Sequence, residues 1–151
     1  MSTVITYGTF DLFHIGHLKL LQRLRSLGDR LVVGVSTDEF NALKGKKTVV
    51  PYEHRVEIVR SVRFVDVAFP EQSWDQKRAD IVREQAHIFA MGDDWVGKFD
   101  DLADVCEVVY LPRTQDVSTT EIRQLVAALH ADKLAELQAA SRHLQQVIDK
   151  L

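Results

Sequence analysis

The sequence predicts an open α/β fold in which a parallel sheet carries helices on both faces. Short apolar runs alternate along the chain with segments whose leucines repeat every three or four residues, as strands alternate with amphipathic helices. Glycine or proline stands where several of these segments end. Because parallel strands need crossover helices between them, this alternation favours a Rossmann-like sheet with right-handed connections.

Five apolar segments are predicted to form the strands, at residues 4–7, 30–36, 65–69, 88–91 and 107–111. Pro70 is expected to end the third strand, because proline lacks an N–H group for the ladder. The predicted helices cover residues 17–27, 37–43, 52–62, 75–85 and 118–129. Ligands of such folds bind at the carboxyl ends of the strands, where the motifs described below are expected to lie.

The last segment, residues 130–151, is predicted to be a helical tail beyond a domain formed by residues 1–129. Its apolar side chains follow three-four spacing, at Leu134, Leu137, Leu144, Ile148 and Leu151. A stripe of this kind packs either on the body of the domain or on a partner subunit.

Composition and charge limit the class of protein. The 151 residues are 46% hydrophobic and 27% charged, the mixture of a globular domain with its own core. A net charge of −3 gives no electrostatic reason to expect nucleic acid or an anionic membrane as partner. The single cysteine and the lack of a long apolar run predict a cytoplasmic protein that has no membrane span and acts on small anionic molecules.

The strongest chemical signal lies between the first strand and the first helix, where Tyr-Gly-Thr-Phe-Asp is followed by His-Ile-Gly-His. His14 and His17 are three residues apart and share one helical face. Gly16 removes a side chain between them, so a phosphate can approach the N–H groups of the helix N-terminus. These residues predict a nucleoside triphosphate site. Unrelated surface histidines or a metal site are the alternatives, and zinc is disfavoured because no H-E-x-x-H helix or cysteine cluster is present.

A second phosphate-binding segment is predicted after the fifth strand, at residues 113–120. Arg113 offers a planar fork of donors to phosphate oxygens. The hydroxyl and N–H groups of Ser118, Thr119 and Thr120 form another helix N-terminus that suits an anion. The alternative is a plain helix cap beside an unrelated arginine, since serine and threonine are common caps.

Further cations and carboxylates are candidates for substrate contacts. Lys44 and Lys46 lie in a glycine-containing loop that is able to close on a phosphorylated molecule, and Lys77 can add a third ammonium group. A solvated charged loop is the alternative. Asp94, in Met-Gly-Asp-Asp-Trp, is a candidate to accept hydrogen bonds from ribose hydroxyls or to bind magnesium. The alternative is that it caps a turn.

Two arginines have a similar ambiguity. Arg55 and Arg63 either contact the nucleotide or form Arg–Asp pairs, within one chain or between subunits. For Arg63 the preferred interpretation is a pair with Asp66, three residues further along the chain.

Together these motifs resemble those of the cytidylyltransferases, in the H-x-G-H superfamily of nucleotidyltransferases. The first segment with its two histidines, Arg-Phe-Val-Asp, and Arg-Thr-x-x-x-Ser-Thr are similar to that family. Ser-Thr-Asp-Glu-Phe-Asn and Met-Gly-Asp-Asp-Trp are similar to its members that act on glycerol 3-phosphate. The resemblance spans about residues 4–129, and the tail is extra to the compact family pattern.

The resemblance implies transfer of a cytidylyl group from CTP to glycerol 3-phosphate, giving CDP-glycerol and pyrophosphate for teichoic-acid-type precursor synthesis. It also implies a Mg²⁺ cofactor, which Asp11 would help to place, and a homodimer linked to the stretch with Arg63 and Asp66. The expected catalytic residues are His14, His17, Lys46 and Arg113. The expected CTP-binding residues are Thr9, Phe10, Asp11, His14, Ile15, Gly16, His17, Lys46, Arg63, Asp94, Arg113, Thr114, Gln115, Asp116, Val117, Ser118, Thr119 and Thr120. The expected glycerol 3-phosphate ligands are Lys44, Lys77 and Arg55.

Three other functions stay open. The same chemistry can use ribitol, ethanolamine or sugar phosphates, because acceptor choice depends on Lys44 and Lys77. Use of ATP, as in adenylyltransferases, is disfavoured by the Arg-Thr-x-x-x-Ser-Thr form. A non-catalytic nucleotide-binding or scaffold protein is disfavoured by the complete set of candidate catalytic residues.

Overall fold

The computed structural model describes residues 1–113 and 119–151, which contain a five-stranded parallel sheet. Its strands are β1 (Thr3–Gly8), β2 (Arg30–Ser36), β3 (Val67–Glu71), β4 (Ile88–Gly92) and β5 (Glu107–Leu111). Their spatial order is β3-β2-β1-β4-β5, with every neighbouring pair parallel. The carboxyl ends of the strands therefore meet at one edge, and the predicted parallel α/β sheet is confirmed.

The helices are α1 (Ile15–Arg25), α2 (Asp38–Leu43), α3 (Tyr52–Ser61), α4 (Lys77–Glu84) and α5 (Thr119–Asp149), with 3₁₀ turns at Asp93–Trp95 and Asp100–Asp104. The chain forms two compact units, Met1–Val117 and Ser118–Leu151. Helix α5 runs through residue 129, where one helix was predicted to end, because no glycine or proline interrupts it. Among the described residues, no helix has the length and apolar character needed to cross a membrane.

Two apolar clusters cover the two faces of the sheet. One contains Val33 of β2 with Leu21 and Leu24 of α1, and the other contains Val32 of β2 with Ile81 of α4. Neighbouring residues of β2 thus point into different clusters, as the alternation of side chains along a strand requires. The sheet therefore has helices on both faces, as predicted.

Strand β3 differs from the prediction because it continues through Pro70 to Glu71. It is an edge strand whose sheet neighbour is β2, and Pro70 stands opposite Val35. Proline is tolerated there because its missing N–H group costs no ladder hydrogen bond on the open side. The longer strand places the carboxylate of Glu71 at the carboxyl edge, opposite Ser36.

The order of the strands creates a switch point beside β1. The chain builds β2 and β3 on one side of β1 and then returns to place β4 on the other side. Crevices at such points, outside the carboxyl ends of the strands, are where open α/β sheets bind ligands.

Candidate active site

The turn between β1 and α1 has a strained backbone. Phe10 and Leu12 have φ values of 56° and 49°, in the left-handed region that side chains disfavour. Between them, the buried carboxylate of Asp11 accepts hydrogen bonds from the N–H groups of Leu12 at 3.1 Å, Val49 at 2.9 Å and Val50 at 2.9 Å. Such conformations persist only where the surroundings hold them, and Asp11 supplies that restraint.

This geometry does not fit the predicted role of Asp11 as a magnesium ligand. Both of its carboxylate oxygens accept backbone N–H groups. Within residues 1–113 and 119–151, no group of three or more histidine, cysteine, aspartate or glutamate side chains is arranged to hold a metal ion. The described residues therefore supply no protein-only site for the expected Mg²⁺, and Asp11 acts as a brace of the turn.

An Asp11→Asn variant is expected to lose about 1–3 kcal/mol of unfolding free energy, because the amide has one acceptor oxygen where the carboxylate has two. Its dependence of rate on Mg²⁺ concentration should match that of the parent. Urea denaturation and metal titrations check the two expectations, with the exposed Asp101→Asn as the control. An unchanged stability with a weakened Mg²⁺ dependence would restore Asp11 as a metal ligand.

The side chains of both histidines cap the N-terminus of α1, with His14 just before the helix and His17 in its first turn. His14 is the N-cap, and its Nδ1 atom accepts the N–H of Gly16 at 3.0 Å. The Nδ1 atom of His17 accepts the N–H of His14 at 3.2 Å, which completes a capping box. The ring centroids are 4.0 Å apart. Because each Nδ1 atom is an acceptor, the neutral rings have their proton on Nε2, the donor that a phosphate oxygen needs.

Burial, together with the charge of His14, lowers the pKa of His17 to about 4, although Asp11 opposes the shift. His17 is therefore neutral at physiological pH and can act as a hydrogen-bond donor rather than as a cation. The sequence indicated the shared face of the pair but not the caps. The three-residue spacing of His14 and His17 is that of an N-cap and its N3 partner in a capping box. It is hard to detect in the sequence because histidines replace the usual serine and glutamate.

The shifted pKa of His17 makes stability depend on pH. Between its ordinary value of 6.5 and its folded value of about 4, the unfolded chain binds more protons than the folded chain. Acidification through this window is therefore expected to remove up to about 3 kcal/mol of unfolding free energy. Urea denaturation across the window checks this, and His17→Asn should flatten the difference while the exposed His54→Asn leaves it. An identical pH dependence in His17→Asn and the parent would contradict the assignment.

The two lysines predicted to bind the acceptor lie around one indole ring. Lys44 is the C-cap of α2, and its Nζ atom lies 5.6 Å from the ring centroid of Trp74. Lys77, at the start of α4, has its Nζ atom 4.9 Å from the same ring. The Nζ atom of Lys77 also lies 2.6 Å from Oε2 of Glu71. The structure thus brings together two cations separated by more than thirty positions in the sequence.

Other predicted residues also lie at the carboxyl edge. The exposed Lys46 follows Gly45, whose φ of 73° lets the chain turn after α2. Beyond β4 and β5, Asp94 Oδ2 and a guanidinium nitrogen of Arg113 lie 3.1 Å apart, both exposed. The hydroxyl of Thr9 donates to the buried Asn41 at 3.2 Å, which ties the turn after β1 to α2.

Arg55 has a structural position instead of the predicted substrate contact. Its buried guanidinium donates to the carbonyl oxygens of Val50 at 2.9 Å, Thr9 at 2.7 Å and Ser36 at 2.8 Å, and to Asp38 at 2.7 Å. A fork of donors is well suited to joining several carbonyls at once. Arg55 therefore joins α3 to the ends of β1 and β2. The prediction that its side chain contacts glycerol 3-phosphate does not fit this buried, hydrogen-bonded position.

Arg63 lies at the opposite edge of the sheet from the histidines. It stands between α3 and the amino end of β3, with its guanidinium 5.0 Å from the Phe64 ring centroid. Asp66 instead pairs with Arg25 at 2.9 Å and accepts the N–H of Leu31 at 2.8 Å. The preferred Arg63–Asp66 pair is therefore not formed within the chain, and a pair between subunits stays a prediction. Within the chain, Arg63 does not lie near the histidines predicted to bind the nucleotide.

The remaining predicted CTP ligands form three sets along the chain. Phe10 is buried beside His17, with ring centroids 5.6 Å apart, and the side chain of Ile15 is exposed. Thr119 and Thr120 begin α5 in the second compact unit. The predictions for the intervening segment lie outside the described residues, namely Thr114, Gln115, Asp116, Val117 and Ser118.

Known proteins are similar to this chain in sequence and in fold. The model of the cytidylyltransferase-like family matches residues 5–125. A glycerol-3-phosphate cytidylyltransferase of Bacillus subtilis (strain 168) is 57% identical over 129 residues, which are 85% of this chain and 100% of that relative. One of Staphylococcus aureus (strain NCTC 8325 / PS 47) is 52% identical over 124 residues, which are 82% of this chain and 94% of that relative.

A solved structure extends the comparison of the fold. The lipopolysaccharide core biosynthesis protein of Thermoplasma volcanium GSS1 has a TM-score of 0.66 and 24% identity, covering 76% of this chain and 99% of that one. This likeness supports the Rossmann-like fold alone. The family model and the two close relatives go further, and by them the chain belongs to the cytidylyltransferase-like family, among the glycerol-3-phosphate cytidylyltransferases.

Proposed function

We propose that this chain transfers a cytidylyl group from CTP to glycerol 3-phosphate, forming CDP-glycerol and pyrophosphate. A phosphate oxygen of glycerol 3-phosphate attacks the α-phosphorus of CTP, and the bond from that phosphorus to the pyrophosphate oxygen breaks in an in-line displacement. The attacking phosphate is already an anion at neutral pH, so the step needs no general base. Catalysis then consists of positioning and of stabilising negative charge on the phosphates.

The observation that best supports this mechanism is the pair of capping histidines at the start of α1. Their Nδ1 atoms accept backbone N–H groups, which leaves the proton of each neutral ring on Nε2. His17 stays neutral because burial lowers its pKa to about 4. Two imidazoles fixed in this tautomer at a helix N-terminus can donate hydrogen bonds from Nε2 to the oxygens of a reacting α-phosphate.

The acceptor is assigned to the lysines around Trp74. Lys44 and Lys77 offer two ammonium groups to a phosphomonoester, and both lie close to the indole ring of Trp74. The close relatives are named for glycerol 3-phosphate, which supports that acceptor over ribitol, ethanolamine and sugar phosphates.

Pyrophosphate release tests the proposal. The chain is incubated with CTP or ATP and with each of glycerol 3-phosphate, ribitol 5-phosphate, ethanolamine phosphate and a sugar phosphate. Release is expected with CTP and glycerol 3-phosphate, and CDP-glycerol should appear in equal amount. Release with ATP alone, or with another acceptor alone, would replace the proposed substrates. No release with any pair would favour a non-catalytic nucleotide-binding protein.

The cofactor, assembly and pathway are further parts of the proposal. A Mg²⁺ requirement, a homodimer, a place in teichoic-acid-type precursor synthesis and a cytoplasmic location rest on the family resemblance.

Residues 1–129 are proposed as the cytidylyltransferase domain and residues 130–151 as an extension that packs on it or on a partner subunit. Sedimentation of the full chain, and of a chain that ends at residue 129, tests the assembly. Loss of a dimer only in the shorter chain would assign the extension to the subunit interface.

A further inference from the structure

One buried carboxylate connects the two lysines that the proposed function assigns to glycerol 3-phosphate. The Oε2 atom of Glu71 accepts a hydrogen bond from Nζ of Lys77 at 2.6 Å. Its Oε1 atom accepts the hydroxyl of Ser36 at 2.6 Å, and that hydroxyl oxygen accepts Nζ of Lys44 at 3.3 Å. Both ammonium groups therefore reach the same side chain, one directly and one through Ser36.

The fold accounts for this arrangement. Glu71 and Ser36 are the last residues of β3 and β2 and stand opposite each other in the sheet. Lys77 begins the helix that follows β3, after a short loop whose N–H groups at Gln72 and Ser73 donate to the side chain of Gln76. The path of the chain thus returns Lys77 to the end of the strand that contains Glu71.

Aromatic contacts alone would leave the two ammonium groups poorly oriented. The Nζ atom of Lys44 lies 4.3 Å from the ring centroid of Phe40, and that of Lys77 lies 4.5 Å from the ring centroid of Tyr7. Attraction to a ring face is weakly directional, and a lysine side chain has a flexible four-carbon stem. The short hydrogen bond from Lys77 to the Glu71 carboxylate is stronger and fixes the direction of the donor, and Lys44 is directed by its bond to the Ser36 hydroxyl.

The charges around Lys44 give Glu71 a second effect. Burial lowers the pKa of Lys44, and the cations of Lys46 in its own loop, Lys77 in α4 and Arg55 in α3 lower it further. Glu71 in β3 opposes these effects and raises that pKa. The carboxylate therefore helps the ammonium group of Lys44 to remain charged before an anionic substrate binds.

We propose that Glu71 is a positioning residue of the acceptor subsite, which holds the ammonium groups of Lys44 and Lys77 ready for the phosphate of glycerol 3-phosphate. The inference rests on the proposed function, because it takes both lysines as acceptor ligands. Glu71 is only 3% exposed, and each of its carboxylate oxygens is hydrogen-bonded within the protein. It acts through the lysines and not by touching the substrate.

A Glu71→Gln variant tests the role in the full-length protein. The KM for glycerol 3-phosphate is expected to rise roughly tenfold or more, because a charge-assisted hydrogen bond is lost. The KM for CTP should change less than about twofold, since the histidines are untouched. The alkaline limb of kcat/KM should move to lower pH, because Lys44 loses the carboxylate that raises its pKa.

Two further variants separate positioning from a general effect on the fold. Glu71→Asp keeps the charge and should restore the alkaline limb. Glu84→Gln makes the same chemical change in another ion pair, the one that Glu84 forms with Arg30 at 2.9 Å. Arg30 lies at the amino end of β2, away from the lysines, so both KM values should stay unchanged. A rise of both KM values in Glu71→Gln, or unchanged constants and pH profile, would overturn the positioning role.

If Glu71→Gln does not fold, Ser36→Ala replaces it. That variant keeps the Glu71–Lys77 pair but removes the hydroxyl that connects Lys44, so only the KM for glycerol 3-phosphate should rise. Normal constants in Ser36→Ala would then overturn the inference. Failure of the proposed function is recognised separately, because in that case the parent itself releases no pyrophosphate from CTP and glycerol 3-phosphate.

Discussion

Replacement of His17 by alanine is expected to lower kcat roughly 10²–10³-fold at saturating CTP and glycerol 3-phosphate. The neutral imidazole has its proton on Nε2, and its loss removes a donor that stabilises charge on the phosphates in the transition state. The effect should appear in kcat because the hydrogen bond is strongest when that charge develops. Steady-state rates of pyrophosphate release measure it. Near-parental turnover would exclude His17 from the mechanism.

Two isosteres separate the catalytic role of His17 from its role as a cap. His17→Asn keeps an acceptor where Nδ1 receives the N–H of His14, but it has no donor at the position of Nε2. It should therefore retain more stability than the alanine variant and still lose kcat. His17→Gln places an amide donor near Nε2 and should recover part of the rate. His54→Ala, on the exposed side of α3, is the matched control.

Replacement of Arg55 by alanine is expected to cost roughly 3–5 kcal/mol of unfolding free energy. The guanidinium makes four hydrogen bonds in the interior, and its removal leaves the carbonyl oxygens of Thr9 and Ser36 without that donor. Those carbonyls lie at the ends of β1 and β2, so the turn with the histidines should loosen as well. Urea denaturation, followed by circular dichroism, gives the free energy.

Arg60→Ala in the same helix is the control for Arg55→Ala. Its guanidinium forms an exposed pair with Glu57 at 3.3 Å, and such pairs contribute about 1 kcal/mol or less. A stable Arg55→Ala protein with a raised KM for glycerol 3-phosphate would return Arg55 to the acceptor site. A destabilised protein that keeps its KM supports the structural role.

Much of the fold was predictable because its signals are local. The alternation of apolar strands and amphipathic helices gave the class of the sheet, and each strand was located to within a few residues. The effect of Pro70 is not predictable locally, because it depends on whether the strand lies at an edge of the sheet. Helix α1 begins two residues before the predicted start at residue 17, because histidine is an unusual N-cap that sequence patterns do not mark.

The amino-acid sequence alone determined the α/β class, the histidine pair and the resemblance to cytidylyltransferases, because each of these depends on residues close together in the chain. The partners of charged side chains were decided by the tertiary structure. Asp66 pairs with Arg25, 41 positions away, instead of Arg63 nearby. Glu71 meets Lys44 through Ser36 only because β2 and β3 are neighbours in register. An ion pair forms where the fold places opposite charges together, and strand order is a property of the whole chain.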